Sequence, residues 1–202
     1  AKVSTKIGVL ENLIPRVDVL IIGGAMANTF LKAQGYRVGR SMVEDDFIPK
    51  ALELLKLAED KNVRVLLPVD VVVAPDMESG AQARVVDVAA VPEDAGIFDV
   101  GDRTVQAVTE ALSGCATIVW NGPLGAFETP PFEKATFALA AFLGSSTALT
   151  VIGGGDSASA VKKAGMDHKV SYVSTGGGAF LEMMEGKSLP GIEALEACMG
   201  KE

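Results

Sequence analysis

Cysteine and histidine are nearly missing from this 202-residue chain, which has only Cys115, Cys198 and His168. Two distant cysteines, in no Cys-x-x-Cys or histidine-rich setting, provide neither a disulfide framework nor a zinc site, and they fit a reducing cytoplasm. His168 lies between Asp167 and Lys169, with no serine, cysteine or carboxylate placed to form a relay, and reads as a surface loop residue. Positive charge is short too. Against 26 Asp+Glu there are 18 Lys+Arg, a formal charge of −8, and no basic run. This argues against nucleic acid or an anionic membrane as partner and leaves room for a small anion held by a few placed groups. No signal peptide opens the chain, which starts Ala1-Lys2-Val3-Ser4 without an initiator methionine, so Ala1 is not expected to be the start of the gene product. The stretch Ala135 to Ile152, which holds no charged residue, is interrupted by Gly144, Ser145, Ser146 and Thr147. It reads as a buried helix, a turn and a central strand rather than a membrane span. The GxxxxGK[ST] phosphate loop and a clean GxGxxG after the first strand are both missing, which excludes the Walker-type site and weakens a dinucleotide site.

Hydrophobic residues make up 49% and charged residues 22%, ordinary for a packed interior. The length suits one large α/β domain or two small ones, and a single domain over residues 1–202 is expected. The most informative stretch is Leu149-Thr-Val-Ile-Gly-Gly-Gly-Asp-Ser-Ala-Ser-Ala-Val161. A β-branched strand ends at Ile152, and Gly153, Gly154 and Gly155 then let the backbone turn sharply and approach a ligand closely. Ser157, or Asp156 before it, is placed to cap a following helix whose free N–H groups attract an anion.

The pattern of strand, glycine turn and helix recurs. A first helix follows Ser4 or Thr5, and Val17 to Ile22 reads as a buried strand that ends in Gly23-Gly24, with a helix from Ala25 toward Gly35. Residues 36 to 44 read as a loop, and Asp45 or Asp46 opens a longer helix with Phe47, Ala51, Leu54, Leu55 and Ala58 on its core face. Arg64 to Leu67 is a strand that Pro68 bends, 76 to 82 a loop, and Arg84 to Val88 a short strand outside the main sheet. Ile97 to Gly101 is expected to reverse the chain before a helix over Thr104 to Leu112. Thr117 to Trp120 is a strand ending in Asn121-Gly-Pro-Leu-Gly125, with a helix from Pro131 to Leu143 after it. Val170 to Val173 precedes Ser174-Thr-Gly-Gly-Gly178 and a short helix from Ala179. A last helix after Pro190 is expected to cover an outer face, and the tail Met199 to Glu202 to fray. Strands of this kind join in parallel through right-handed crossovers. The expected fold is therefore an α/β three-layer, Rossmann-like domain, its mainly parallel sheet covered by helices on both faces. The glycine turns at 23–24, 122–125, 153–155 and 176–178 all follow strand carboxyl ends and are expected to converge on one cleft.

Ala1-Lys-Val-Ser-Thr-Lys-Ile, Gly23-Gly-Ala-Met-Ala-Asn-Thr-Phe, Leu67-Pro-Val-Asp-Val-Val-Val-Ala, Trp120-Asn-Gly-Pro-Leu-Gly-Ala-Phe-Glu, Gly153-Gly-Gly-Asp-Ser and Ser174-Thr-Gly-Gly-Gly-Ala together resemble the C-terminal, nucleotide-binding half of phosphoglycerate kinase. The motifs keep that family's order and spacing from the first residue to about Leu195. The resemblance implies a cytoplasmic, monomeric, two-lobed enzyme of glycolysis that moves a phosphoryl group between 1,3-bisphosphoglycerate and ADP, giving 3-phosphoglycerate and ATP with Mg²⁺. It also implies that the basic phosphoglycerate-binding lobe lies outside this chain, which then binds Mg-ADP or Mg-ATP but is nearly inactive alone.

Carried over by resemblance, Lys6 contacts the nucleotide phosphates and Lys2 steadies the phosphoryl group in transit, with Gly176, Gly177 and Gly178 pointing at that group. Asp156 holds the magnesium, Glu128 takes the ribose hydroxyls, and Asn121, Gly154, Gly155 and Ser157 line the phosphates. Ser157 replaces the threonine common in the family. Gly23, Gly24 and Phe98 belong to the adenine side, where Ala25 replaces a frequent third glycine, and Phe98 and Asp102 stand where leucine and proline are usual. Two other readings stay open: a stand-alone nucleotide-binding module without catalysis, and a dinucleotide-dependent oxidoreductase domain.

Overall fold

The computed structural model describes residues 2–199. The end of the tail, expected to fray, lies outside them. The described chain has eight strands and eight α-helices, with 3-10 turns at some of the joins; β2 to β5 follow one another without an α-helix between them. Helix α1 (Ile7–Leu13) leads through Pro15 to strand β1 (Val19–Ile21), shorter than the expected Val17 to Ile22, and helix α2 (Gly24–Ala33) follows. Ala27, Phe30 and Leu31 of α2 are buried at helical spacing. Helix α3 (Ile48–Asp60) starts with Pro49 in its first turn, buries Ala51, Leu54 and Ala58, and gives way to Asn62 in the left-handed region at φ 57°. Strand β2 (Arg64–Leu66) then pairs in parallel with β1.

The chain changes sheets at Leu67–Val69. Strand β3 (Asp70–Ala74) lies between β4 (Arg84–Asp87) and β5 (Gly96–Val100), antiparallel to both. Ile97 to Gly101, expected to turn the chain back, is thus mostly strand, because Gly96, Ile97, Asp99 and Val100 pair with Ala74, Val73, Val72 and Val71, with Phe98 skipped at a register shift between Val72 and Val73. Buried Val71 and Val73 are the reason, since β-branched side chains pack on a half-buried pleated surface. As expected, β4 stays outside the parallel ladders.

Helix α4 (Asp102–Leu112) precedes the second parallel ladder, formed by β6 (Thr117–Asn121), β7 (Leu149–Gly153) and β8 (Tyr172–Val173), with Trp120 opposite Ile152 and Asn121 opposite Gly153. Helices α5 (Lys134–Ser145) and α6 (Gly155–Lys163) bury Leu139, Ala140, Leu143, Ala160 and Val161 in one cluster with Ile118, Trp120 and Ile152. A second cluster lies among α1, α2 and α3, and a third under β3. The fold is therefore mixed α/β with parallel ladders flanked by helices.

Two expectations change. Helix α5 starts at Lys134, because Phe132 turns inward, fully buried, before the helix begins. The last helix, α8 (Pro190–Met199), covers no outer face: Ile192 is 46% and Leu195 67% exposed. Helix α7 (Gly177–Met184), just before it, packs on α1, where Asn12 Nδ2 donates to Met184 O at 2.9 Å. Among the described residues no helix is long and apolar enough to cross a membrane. His168 is exposed beside Asp167, and Cys115 and Cys198 are both free.

Candidate functional site

The carboxyl ends of β1, β6, β7 and β8 each run into a glycine turn, and hydrogen bonds link these turns side by side. Gly24 N–H donates to Leu124 O at 3.1 Å, joining the turn after β1 to the one after β6. Asn121, the last residue of β6, donates from Nδ2 to Gly153 O at 2.8 Å, and Gly122 N–H donates to Ser157 Oγ at 2.7 Å, joining that turn to the one after β7. A Cβ on Gly177 would lie 3.7 Å from Gly154 Cα, so the turn after β8 closes the row. Close approach requires the absent side chains. A Cβ on Gly23 would meet Leu124 Cδ2 at 2.5 Å, and one on Gly24, at φ 62°, would meet Pro123 O at 2.9 Å.

Lys6 reaches this row from the segment before α1. Its Nζ donates to Asn121 Oδ1 at 2.8 Å, and burial lowers the pKa of the amine, against the attraction of Glu185, which raises it. A cation at the junction of Asn121 and Gly153 is suited to an anion, because freed backbone N–H groups of a helix start lie beside it. That start is α6. Its N-cap is Gly154 at φ 91°, and no side chain caps it. Neither Asp156 nor Ser157 has the capping role expected: both fall inside the first turn.

Asp156 is exposed and, with Glu128, lines a cleft of about 220 Å³ together with Met77, Pro123, Gly125, Ala126, Phe127 and Thr129. Ser157, expected to line the phosphates, is completely buried, and its hydroxyl accepts from Gly122 N–H. It holds a turn in place. Phe98 also stands behind the site. Its ring packs on Phe132 with centroids 5.1 Å apart, and its carbonyl accepts from Ala126 N–H at 2.7 Å, so it backs the wall that Ala126 presents to the cleft. Lys2 is not brought to the row by any described contact. It is exposed, its carbonyl accepts from Thr5, and its charge acts on Glu44, which Ser4 bonds. Gly155, Gly176 and Gly178 are exposed at the rim.

Sequence reasoning missed Met77, Phe127 and Thr129. Met77 comes from a loop 46 positions before Pro123 in the chain and carries no pattern of its own. Phe127, under the Lys163 ammonium at 5.0 Å, lies within the resemblance motif but was given no role there. Phe180 was missed as well: its ring lies where a side chain on Gly153 would go.

Fold and site together define an α/β protein with a row of glycine turns and one lysine at strand carboxyl ends and, beside that row, a cleft lined by two exposed acids, a class suited to anionic ligands. The comparisons narrow the class. The sequence profile described as phosphoglycerate kinase matches residues 1–187, and the chain belongs to the phosphoglycerate kinase family. It is 67% identical over 201 residues to the phosphoglycerate kinase of Syntrophobacter fumaroxidans, covering 100% of this chain and 51% of that protein. To that of Desulforapulum autotrophicum it is 52% identical, covering 97% and 50%. Among solved structures, phosphoglycerate kinase from Coxiella burnetii superposes with a TM-score of 0.91 at 47% identity, covering 95% of this chain and 50% of that one. The Pyrococcus horikoshii enzyme gives 0.83 at 30% identity, covering 100% and 51%. The chain spans about half the length of the relatives it matches.

Proposed function

We propose that this chain is the nucleotide-binding part of a phosphoglycerate kinase, taking Mg-ADP or Mg-ATP along the row of glycine turns and the cleft beside it. The whole enzyme would move the phosphoryl group reversibly from 1,3-bisphosphoglycerate to ADP, the phosphoglycerate being held by a lobe outside this chain. The observation that carries the reading is the continuous row of glycine turns held by Lys6, Asn121 and Ser157, with the exposed acids Asp156 and Glu128 on one cleft beside it. Phosphoryl transfer asks little covalent chemistry of a protein. Positive groups and N–H dipoles set around the charged oxygens do most of the work, and these residues are of that kind.

Lys6 and the open start of α6 would take the phosphates, the Gly176 to Gly178 turn would face the transferred group, and Glu128 would accept from the ribose hydroxyls. The donor set also fits magnesium. Among the described residues no three acidic, histidine or cysteine side chains cluster, while Asp156 is a single exposed carboxylate at the cleft. Magnesium is held in that way, by one or two carboxylates, the substrate phosphates and its own waters. Bound there, the ion neutralises phosphate charge. The chain alone lacks a second lobe to close over the cleft and exclude water, so slow turnover is expected of it.

Calorimetry of the purified chain with Mg-ADP is the direct test, and NAD serves as the competing ligand; binding of NAD in preference to ADP would overturn the proposal. Asp156→Ala is expected to weaken ADP about 10-fold with magnesium present, the order of one charge-assisted contact, and to leave magnesium-free ADP binding unchanged. Equal ADP affinity of the unaltered chain with and without magnesium would remove the metal role of Asp156. Glu128→Ala is expected to weaken adenosine and ADP alike, by roughly 5- to 10-fold. A loss confined to ADP would place Glu128 away from the ribose. Adding a separately made N-terminal lobe and following ATP formation tests the whole-enzyme reading.

A further inference from the structure

Behind the cleft wall lies a carboxyl group for which neither the resemblance nor the proposed chemistry has a use. Asp99, on β5, is 1% exposed. Its Oδ2 accepts from Ala135 N–H, in the first turn of α5, at 3.1 Å, and its Oδ1 accepts from Val100 N–H at 2.9 Å. Gly125, which lines the cleft, lies so close over it that a Cβ there would run into the Asp99 carboxylate and come 2.7 Å from Phe132 O. Just before Asp99 the same strand grips the same wall: Phe98 O accepts from Ala126 N–H, and the Phe98 ring packs on Phe132.

A comparable residue shows what is unusual here. Asp70, also buried, serves the start of α4, accepting from Thr104 N–H, Thr104 Oγ1 and Arg103 N–H, with the Arg103 guanidinium at 3.6 Å. Among the described residues, Asp99 has two backbone donors and no cation that close. The Glu133 carboxylate is near it, and Glu133 Oε2 is buried with no hydrogen-bond partner among the described residues.

We infer that Asp99 is a positioning residue of the cleft, tying β5 to the first turn of α5 and so setting the place of the Gly125–Thr129 wall that carries Glu128. The inference rests on the nucleotide reading of that cleft and adds a regulation to it. Burial first, then the nearby Glu133 charge, pushes the Asp99 carboxyl up to about 7 against the two N–H donors and Lys134, which lower it. The facing groups are Glu133 and Lys134 at the start of α5, uncharged Val72 on β3 and Gly125 in the wall. Above neutral pH the group carries a buried charge beside a second carboxylate, and the wall loosens. Below neutral pH it is neutral and the wall is set.

Adenosine is the probe, because it does not titrate between pH 5.5 and 8.5 and its ribose is the part that Glu128 would hold. With the chain of residues 1–202, adenosine affinity by NMR titration is expected to fall about three- to tenfold from pH 6 to pH 8. Asp99→Asn, neutral at every pH, should flatten that profile. Asp99→Ala, with no acceptor for Ala135 N–H, should bind about tenfold more weakly throughout. Hydrogen exchange at the Ala135 amide of the unaltered chain, corrected for intrinsic rates, should lose protection over the same pH interval, a readout independent of any variant. Failure of the unaltered chain to bind adenosine or ADP at pH 6 would sink the nucleotide reading and this inference with it. Binding with a pH profile that neither variant changes, and steady Ala135 protection, would overturn the role of Asp99 alone.

Discussion

Lys6→Ala will weaken ADP binding by about 10- to 100-fold and leave adenosine binding nearly unchanged. The magnitude is that of a charge-assisted hydrogen bond, about 1.5–3 kcal/mol, removed from a partly enclosed setting. The selectivity follows from position. Lys6 Nζ lies 2.8 Å from Asn121 Oδ1, and Asn121 Nδ2 in turn bonds Gly153 O, so its charge stands at the junction of two glycine turns. Glu128, proposed for the ribose, lines a cleft whose lining does not include Lys6. Lys6→Arg is a useful companion, because the flat guanidinium cannot reproduce a compact ammonium on Asn121, and only partial recovery is expected. Isothermal titration with both ligands, at low and at raised salt, measures the effect. Equal losses for ADP and adenosine would show that Lys6 acts by folding and not by charge.

Gly153→Val is expected to lower stability by about 3 kcal/mol, a fall in Tm of roughly 6–12 °C for a chain of this size, and to abolish ADP binding. Gly153 is the last residue of β7, buried, and the place of its absent side chain is filled by the Phe180 ring of α7. A branched side chain there cannot be absorbed by small shifts, because interiors are close-packed. The ring has to leave, and with it the start of α7, which holds the Gly176 to Gly178 turn against Gly154 and Gly155. Thermal melts and ADP titration of the same sample test the link. A variant that melts normally and binds normally would mean that α7 is not coupled to the glycine row. Gly155→Ala is the control for stability, since nothing lies within 4 Å of a Cβ there.

Stability also carries a pH signature from Asp99. Its folded pKa of about 7 lies above the ordinary 3.8, so the folded chain keeps a proton that the unfolded chain releases. The stabilisation is complete below the ordinary value and is lost as pH rises through about 7. Melting temperatures should fall between pH 4 and pH 7 by a component that Asp99→Asn removes. A slope that stays the same in that variant would assign the titration elsewhere.

Much of this protein was legible along the chain. The helices α2, α3 and α4 show their core faces by spacing alone, and the glycine turns after β1, β6, β7 and β8 were visible as runs of small residues at strand ends, because backbone turning is a local property. Boundaries were less so: Asp156 and Ser157 are good capping residues by type, yet the N-cap of α6 is Gly154, two to three residues earlier, and its first N–H groups carry no side-chain cap. β5 was read as a reversal because its strand character depends on β3, whose pairing partner no periodicity names. That Ser157 braces the turn after β6 was not legible, since a hydroxyl in the sequence does not say which N–H will find it.

The sequence by itself determined the alternation of strand, glycine turn and helix, the kinship with the phosphoglycerate kinases, and the short roster of charged residues able to meet an anion. These are set by local backbone preference, side-chain chemistry and motif order. Only the tertiary structure decided that Lys6 and Asn121 touch across 115 positions of chain, that Phe180 stands on Gly153, and that Asp99 lies under the cleft wall. Those are packing results, settled where strands from distant segments find a common register and close-packed side chains leave each buried group a single place to go.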